Sequence, residues 1–311
     1  MSIKSQNTQK LLTGKNPVWF LSGGKKLAGN LFIPENFTKD KKWPAIVVAT
    51  PYSGLKEQTA GIYAEKLAAK GFIALVFDSR TYGESEGEPR NLEDFSMKIE
   101  DIYGAINYLF TIDEIDRDNF FGLGLCGGGG YMASAVTSDR RIKAIATVSG
   151  FFDIRGFIYQ FMGKEALVEL AETAGQARQK YYETGEIITI PMFEDDLTKC
   201  TSQYQKEVYD YYFTDRGHHS NWADNKFPAI SSVFTFSSLD YASLVSPTPL
   251  LAIVGSRAET APQTYRMLEL INDKKTTKLF TVKGASHIDL YDKDQYVNQA
   301  VEQISRFFRT N

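Results

Sequence analysis

The sequence contains few of the residues that build cross-linked or imidazole-based sites. Of its 311 residues, 2 are Cys and 3 are His. Two cysteines are too few for a disulfide framework, and such a low number is typical of proteins from a reducing compartment. Any mechanism that needs a histidine has only His218, His219 and His287 to choose from.

Long apolar runs and a strong charge bias are also missing. The apolar stretches at residues 45–49 and 72–77 are far shorter than the roughly 20 residues of a membrane-spanning helix. Residues 1–15 are polar and lack a secretory apolar segment, so we expect a cytoplasmic protein without a membrane partner. The net charge of −3 disfavours a nucleic-acid partner, which binds basic surfaces. We expect a small-molecule partner, and the sequence leaves a homo-oligomer open.

Buried-strand runs alternate with amphipathic helical patterns through the first half of the chain. Two apolar stretches around a Ser-Gly-Gly turn predict an initial hairpin. The alternation that follows predicts a parallel sheet covered by helices on both faces. The hairpin strands lie at 18–21 and 27–33, the later strand runs at 45–49, 72–77, 120–125 and 142–148, and the helical patterns at 57–70, 92–110 and 127–137.

The alternation stops near Phe151 and resumes at about residue 249. The stretch 151–245 is rich in aromatic residues and shows no buried-strand run. We therefore predict one core domain, 1–150 and 246–311, interrupted by an inserted helical cap at 151–245. The aromatic residues of this cap form a small core of their own or line a pocket beneath it, and the two interpretations are compatible. The resumed strands are predicted at 249–254 and 278–282, and the resumed helices at 262–271 and 296–308.

A glycine cluster at 122–130 admits two functional interpretations. Gly122, Gly124 and Gly127 form G-x-G-x-x-G, the fingerprint of dinucleotide-binding loops. That fingerprint needs an acidic residue at the end of the next strand, and residues 147–150 read Thr-Val-Ser-Gly. No Gly-Lys-Ser/Thr follows either, so we expect no nucleotide cofactor and no other cofactor.

The second interpretation of the cluster is a nucleophile elbow. Gly124, Cys126 and Gly128 form G-x-Nuc-x-G after a predicted strand and before a predicted small-residue helix. Glycines are needed there because the backbone approaches itself closely. Cys126 is then the nucleophile, and the helix N-terminus is expected to favour its thiolate. The alternative is a buried structural cysteine beside a tight turn.

A base and an orienting acid complete such a site. His287 follows the last predicted strand and so lies at the carboxyl edge of the sheet, where active sites of parallel sheets form. Glu259 is the only carboxylate in the loop after strand 249–254, and it is our candidate acid. It could instead be a favourable charge at a helix N-terminus. Asp153 is the alternative acid, and Asp289 is too close to His287 in sequence.

An oxyanion hole requires two backbone N–H donors. Gly127, the residue after the nucleophile, provides one. The other should come from the loop after the third strand, where Pro51 lacks an N–H and Tyr52 is therefore our candidate. His218 and His219 read as a polar turn of the cap, and we expect no metal site.

With these residues in place, the chain resembles an α/β-hydrolase, most closely the dienelactone-hydrolase-like branch with a Cys nucleophile. The supporting motifs surround Cys126 and His287, with a third at residues 78–85 that resembles the family's D-x-R-G-x-G-x-S loop. The resemblance implies a mostly parallel eight-stranded sheet with helices on both faces and an inserted cap. Three positions depart from the family pattern, with Thr81 in place of a glycine, Thr50 in place of a histidine and Glu259 in place of the commoner aspartate.

These features predict a hydrolase that cleaves a carboxylic ester, lactone or thioester. The reaction would use a Cys126–His287–acid triad and an acyl-enzyme intermediate. Two alternatives remain, a non-catalytic ligand-binding member of the fold and a peptidase or acyltransferase of the same fold. A peptidase would need carboxylates for a substrate amine, and Glu194, Asp195 and Asp196 form the only such cluster in the cap.

Overall fold

The computed structural model describes residues 11–188, 191, 193–223 and 236–311, and the side chain of Phe161 is not described. Residues 1–10, which make up most of the polar N-terminal segment, lie outside the described residues. The same holds for 189, 190, 192 and 224–235, which belong to the predicted cap. Within the described part of the chain, no helix is both long and apolar enough to cross a bilayer.

Eight strands form one sheet in the order β1-β2-β4-β3-β5-β6-β7-β8. Strand β2 is antiparallel to both of its neighbours, and every other neighbouring pair is parallel. This sheet confirms the predicted mostly parallel, eight-stranded architecture. The strands are β1 Gly14–Ser22, β2 Lys25–Ile33, β3 Trp43–Ala49, β4 Ile73–Phe77, β5 Ile115–Leu125, β6 Ala144–Val148, β7 Leu250–Gly255 and β8 Thr277–Val282.

Helices connect the parallel strands, and the described residues between β6 and β7 form two of them. The longest helix, α4, is interrupted at Gly163, whose φ of 85° is left-handed. Two short 3₁₀ turns occupy Leu197–Lys199 and Ala242–Val245. The helices are α1 Thr59–Ala69, α2 Phe95–Leu109, α3 Gly128–Ser138, α4 Ile154–Thr184, α5 Gln203–Tyr212, α6 Ala261–Ile271, α7 Asp289–Asp292 and α8 Asp294–Arg309.

Both faces of the sheet are buried under helices. Successive side chains of a strand point to opposite faces, so Val47 of β3 packs in one core cluster and Ile46 in another. Helices α2 and α3 cover the Val47 face, where Ile106 and Met132 belong to the same cluster. Helices α1 and α8 cover the Ile46 face. The continuous apolar strand runs follow from this double burial.

Strand β5 begins five residues earlier than its apolar run predicts. The run at 120–125 marks only the second half of β5, which starts at Ile115. The intervening residues 116–119 are polar and mostly exposed, so hydrophobicity gives no signal there. Ile115 pairs with Trp43 across a register shift that lies between Trp43 and Ala45.

The insertion between β6 and β7 leaves the sheet continuous, because these two strands are neighbours. Its α5 segment is tied to the edge of the sheet that carries the loops after the strands. Arg216 donates from Nε and Nη2 to the Asp292 carboxylate at 2.9 and 2.6 Å. Gln58 donates to the Gly217 carbonyl at 2.8 Å. The division into core and cap stays a prediction.

An aromatic cluster fastens the C-terminal helix to the sheet. Phe308 of α8 stacks on Phe121 of β5 with ring centroids 4.6 Å apart, and Phe72 meets both rings edge-on. We expect Phe308→Ala to lower the free energy of unfolding by about 3–5 kcal/mol, because it leaves a cavity under α8. Chemical denaturation measures the loss. Tyr265→Ala, at an aromatic residue that is 46% exposed, is the control and should change little. Equal effects of the two variants would contradict this view of the core.

Candidate active site

Cys126 lies in a strained turn between β5 and α3. Its φ of 52° is in the left-handed region, which a residue with a side chain rarely adopts. The turn is held by backbone hydrogen bonds, since the Cys126 N–H donates to Val148 O at 3.0 Å and the Phe151 N–H donates to Cys126 O at 2.8 Å. A strand, a left-handed residue and a helix in this order are the geometry of a nucleophile elbow.

The flanking glycines have a steric reason. A Cβ atom at Gly124 would lie 2.3 Å from the Gly128 carbonyl oxygen. A Cβ atom at Gly128 would lie 2.4 Å from the Ala49 carbonyl oxygen at the end of β3. Neither backbone oxygen has room to move, so both positions exclude any side chain. The glycines therefore let the elbow and the loop after β3 approach each other.

This close approach brings two backbone amides to the Cys126 sulfur. The backbone N–H groups of Gly127 and Tyr52 lie near enough to Sγ to lower the pKa of the thiol. The two residues are in contact, since a Cβ at Gly127 would lie 3.0 Å from the Tyr52 nitrogen. The structure therefore places Cys126, Gly127 and Tyr52 together. Their roles as nucleophile and oxyanion donors stay predictions.

A buried glutamate, which the sequence did not point to, anchors the Tyr52 loop. Glu93 accepts a hydrogen bond from the Ser53 N–H at 3.1 Å, next to the oxyanion candidate. Its carboxylate also accepts from the hydroxyls of Tyr82 and Tyr131 at 2.5 and 2.7 Å. Lys98 Nζ lies 2.8 Å from Oε1 and balances the buried charge. The loop is thus fixed from behind by charge-assisted hydrogen bonds.

The loop after β4 also holds the loop after β3, through a contact between Asp78 and Lys56. Asp78 is fully buried and accepts hydrogen bonds from the backbone N–H of Lys56 and from its Nζ, at 2.9 and 2.8 Å. Burial raises the pKa of Asp78, and the Lys56 ammonium opposes this rise. Thr81, where the family has a glycine, adopts a left-handed φ of 74°. The motif at 78–85 thus has a structural role. Thr81 keeps the left-handed backbone conformation that a glycine adopts more easily.

His287 is buried beside this elbow and carries two hydrogen bonds. Its Nε2 lies 3.3 Å from the Tyr291 hydroxyl, and its Nδ1 lies 2.5 Å from the Thr260 hydroxyl. Burial penalises the imidazolium and lowers the pKa of His287 to about 3. The ring is therefore neutral at ordinary pH.

Both candidate acids hydrogen-bond to other partners in this structure. Glu259 is exposed and accepts from the Tyr204 N–H at 3.3 Å. Asp153 caps α4 by accepting from the Gly156 N–H at 3.0 Å. The residue at Nδ1 of His287 is Thr260, one position after Glu259 and buried. The Thr260 hydroxyl thus occupies the position at Nδ1 where we predicted the Glu259 carboxylate. The imidazole that it contacts is itself uncharged.

The Cys126 thiol is more basic than the sequence suggested. Burial raises its pKa, although the Tyr291 hydroxyl and the two backbone amides, which can donate to a thiolate, oppose the rise. We expected the helix N-terminus to favour the thiolate. The structure corrects this expectation because desolvation outweighs the local donors. At rest, Cys126 is therefore a thiol.

A cavity of about 540 Å³ opens above Cys126. Its apolar wall comes from α4 and α5 of the insertion and from the loops of the sheet. Aromatic residues of the insertion also pack on one another, as Tyr212 does on Trp222 with centroids 4.9 Å apart. Both alternatives for the aromatic residues therefore hold. The aromatic residues that line the cavity are Tyr52, Phe151, Phe157, Phe193, Tyr204, Tyr212 and Tyr291.

Polar residues are few in this cavity, and two of them are carboxylates. Glu194 and Glu259 both line it, whereas Asp196 caps the 3₁₀ turn that follows Glu194. His218 bonds the Tyr212 carbonyl and His219 accepts from the Asn221 N–H. Among the described residues, no three His, Cys, Asp or Glu side chains are grouped so that they could hold a metal ion.

Comparisons with known proteins find a matching family and a relative that spans most of the chain. The profile of the family described as X-Pro dipeptidyl-peptidase (S15 family) matches residues 23–229. The uncharacterized protein YcjY of Escherichia coli (strain K12) is 31% identical over 287 residues, which covers 91% of this chain and 93% of YcjY.

Solved structures extend the similarity to the whole fold. The crystal structure of hypothetical protein PA2218 from Pseudomonas aeruginosa is 30% identical, with a TM-score of 0.86, and the match covers 100% of this chain and 98% of that one. The α/β hydrolase GrgF from Penicillium sp. sh18 has a TM-score of 0.76 at 20% identity, and the match covers 94% and 98% of the two chains. The predicted α/β-hydrolase fold is therefore confirmed, whereas the dienelactone-hydrolase-like branch stays a prediction.

The buried imidazole has a measurable consequence. Because the pKa of His287 falls from 6.5 to about 3, the ring stays neutral while an unfolded chain takes up a proton. We expect the imidazole NMR signals of His287 to stay constant between about pH 8 and pH 5. These signals are assigned as the ones that are absent from the spectrum of His287→Gln. The native state should also lose stability as the pH falls from 6.5 toward 3. A shift of the His287 signals with a midpoint near 6.5 would contradict this burial.

Proposed function

The chain belongs to the X-Pro dipeptidyl-peptidase (S15) family, and from this premise we propose that it hydrolyses carboxylic esters, thioesters or lactones through Cys126. Family and fold together make it a hydrolase or acyltransferase of the α/β-hydrolase fold. The finer proposal rests on one observation above all. Cys126 has left-handed backbone, the amides of Tyr52 and Gly127 lie near its sulfur, and the residue lines an apolar cavity.

The proposed reaction proceeds in two steps. The Cys126 sulfur attacks the carbonyl carbon while its proton passes toward His287, and the amides of Tyr52 and Gly127 hold the resulting oxyanion. Collapse of this intermediate expels the alcohol or thiol, which takes the proton, and leaves a thioester on Cys126. Water then attacks the thioester, releases the acid and restores the thiol.

The cavity supports an acyl substrate of moderate size and low polarity. Its volume of about 540 Å³ lies in the range of small-molecule sites, and its lining is mostly apolar. A thiol nucleophile also favours acyl groups with good leaving groups, because a sulfur intermediate expels an alkoxide or thiolate more readily than an amide nitrogen. Activated esters, thioesters and strained lactones meet both conditions.

Substitution of the proposed nucleophile is the direct test. We expect Cys126→Ala to lower turnover of short aryl esters by at least about 10³-fold, because the covalent route is lost. Steady-state kinetics on an ester and lactone panel measures this loss. Cys200→Ala is the matched control, because Cys200 is also a buried free cysteine but lies in the insertion outside the cavity lining. Equal turnover by wild type and Cys126→Ala would reject the proposal.

A second candidate function is cleavage after an N-terminal dipeptide. The observation in its favour is that Glu194 and Glu259 line the same cavity as Cys126, where they could pair with a substrate ammonium group. The family description names this activity. The low polarity of the remaining wall favours the acyl substrates described above.

Charge-neutral variants separate the two candidates. If the dipeptidase function holds, Glu259→Gln and Glu194→Gln should raise KM for X-Pro p-nitroanilides with a free amine and leave N-acetylated substrates unaffected. Asp195→Asn, at an exposed neighbour outside the lining, is the matched control. We expect the acyl-ester function to prevail, so that aryl esters are turned over faster than the p-nitroanilides and neither Gln variant distinguishes free from acetylated amines.

A further inference from the structure

The Tyr291 hydroxyl lies between the two residues that the proposed reaction joins. Cys126 and Tyr291 both line the cavity, whereas His287 does not and is only 1% exposed. Nε2 of His287 is hydrogen-bonded to Tyr291 Oη, at 3.3 Å. Tyr291 also packs with Cys126 in one buried cluster, and its hydroxyl is close enough to affect the pKa of the thiol. The phenol of Tyr291 thus lies next to both the sulfur and the imidazole.

The connection continues on the far side of the imidazole. Nδ1 of His287 is 2.5 Å from the Thr260 hydroxyl. In one tautomer, Nδ1–H donates to Thr260 Oγ1, and the lone pair of Nε2 accepts from the Tyr291 O–H. Tyr291 Oη can then accept from the Cys126 S–H. In this arrangement the S–H proton has Tyr291 Oη as its acceptor, and the Tyr291 O–H proton has Nε2 of His287.

We propose that Tyr291 is a catalytic residue that relays the Cys126 proton to His287, with Thr260 as the positioning residue that sets the histidine tautomer. This inference rests on the proposed function of Cys126 as nucleophile. As the sulfur attacks the carbonyl carbon, the S–H proton moves to Tyr291 Oη and the Tyr291 O–H proton moves to Nε2. The carbonyl π pair becomes the oxyanion lone pair, and His287 becomes the imidazolium.

The Tyr291 side chain is held in place by more than its hydroxyl. Its ring meets Tyr211 edge-on at 5.0 Å, and its backbone carbonyl accepts from the Thr59 hydroxyl at 2.8 Å. A phenylalanine would retain both contacts. Tyr291→Phe therefore removes the relay atom and leaves the packing, which separates the chemical role from the structural one.

Tyr291→Phe should lower kcat on an aryl ester by about 10²-fold, the size of a lost proton-transfer group, and leave KM little changed. Tyr63→Phe is the matched control, because Tyr63 is a buried tyrosine that donates to the Leu290 carbonyl in the same helix α7. It should retain wild-type kcat once melting curves show both variants folded. Wild-type or raised kcat in Tyr291→Phe would overturn the relay.

A second measurement on the wild type keeps the test independent of variant folding. The relay moves two protons during acylation, so the acylation rate in mixtures of H₂O and D₂O should follow a curved proton inventory. A linear inventory, which indicates one moving proton, would overturn the relay. Loss of turnover in Cys126→Ala together with wild-type kcat in Tyr291→Phe would reject the relay alone. Full turnover in Cys126→Ala would reject the proposed function itself.

Discussion

The left-handed backbone of Cys126 is the constraint on which the rest of the site depends. Holding a residue with a side chain in that conformation costs on the order of 1–3 kcal/mol, so the surroundings must enforce it. Two backbone hydrogen bonds, to Val148 O and from Phe151 N, secure the turn. Gly124 lets the turn fold back on itself, and Gly128 lets it pack against the end of β3. This approach is what brings the Tyr52 amide to the sulfur.

Burial then determines the charge state of the site. Burial among packed side chains removes water from Cys126 and His287, which raises the pKa of the thiol and lowers that of the imidazole. Neutral partners suit such an environment, because an unpaired buried charge is costly. The hydroxyls of Thr260 and Tyr291 fill the positions around the imidazole, whereas the charged Glu93 and Lys98 are paired behind the Tyr52 loop.

The sequence predicts the features of this site that depend on the backbone, and it misses those that depend on tertiary contacts. Cys126 between glycines has a local steric cause, and His287 follows from its place after the last strand. The side chain of Thr260 is buried and that of its neighbour Glu259 is exposed. Which of the two faces the core depends on the backbone just before α6, and the sequence alone does not show this. Glu93 gains its position from contacts distant in sequence, and Tyr291, although only four residues after His287, meets Cys126 only in the folded chain, so no local pattern marks either residue.

The central claim is that Cys126 carries the acyl group during turnover, and trapping this intermediate tests it most directly. Wild-type protein would be mixed with a slowly hydrolysed aryl ester, quenched in acid and weighed intact by mass spectrometry, and the adduct would then be mapped by peptide digestion. We expect one acyl group per chain, attached to the peptide that contains Cys126. Turnover without any adduct, or an adduct on another residue, would contradict it.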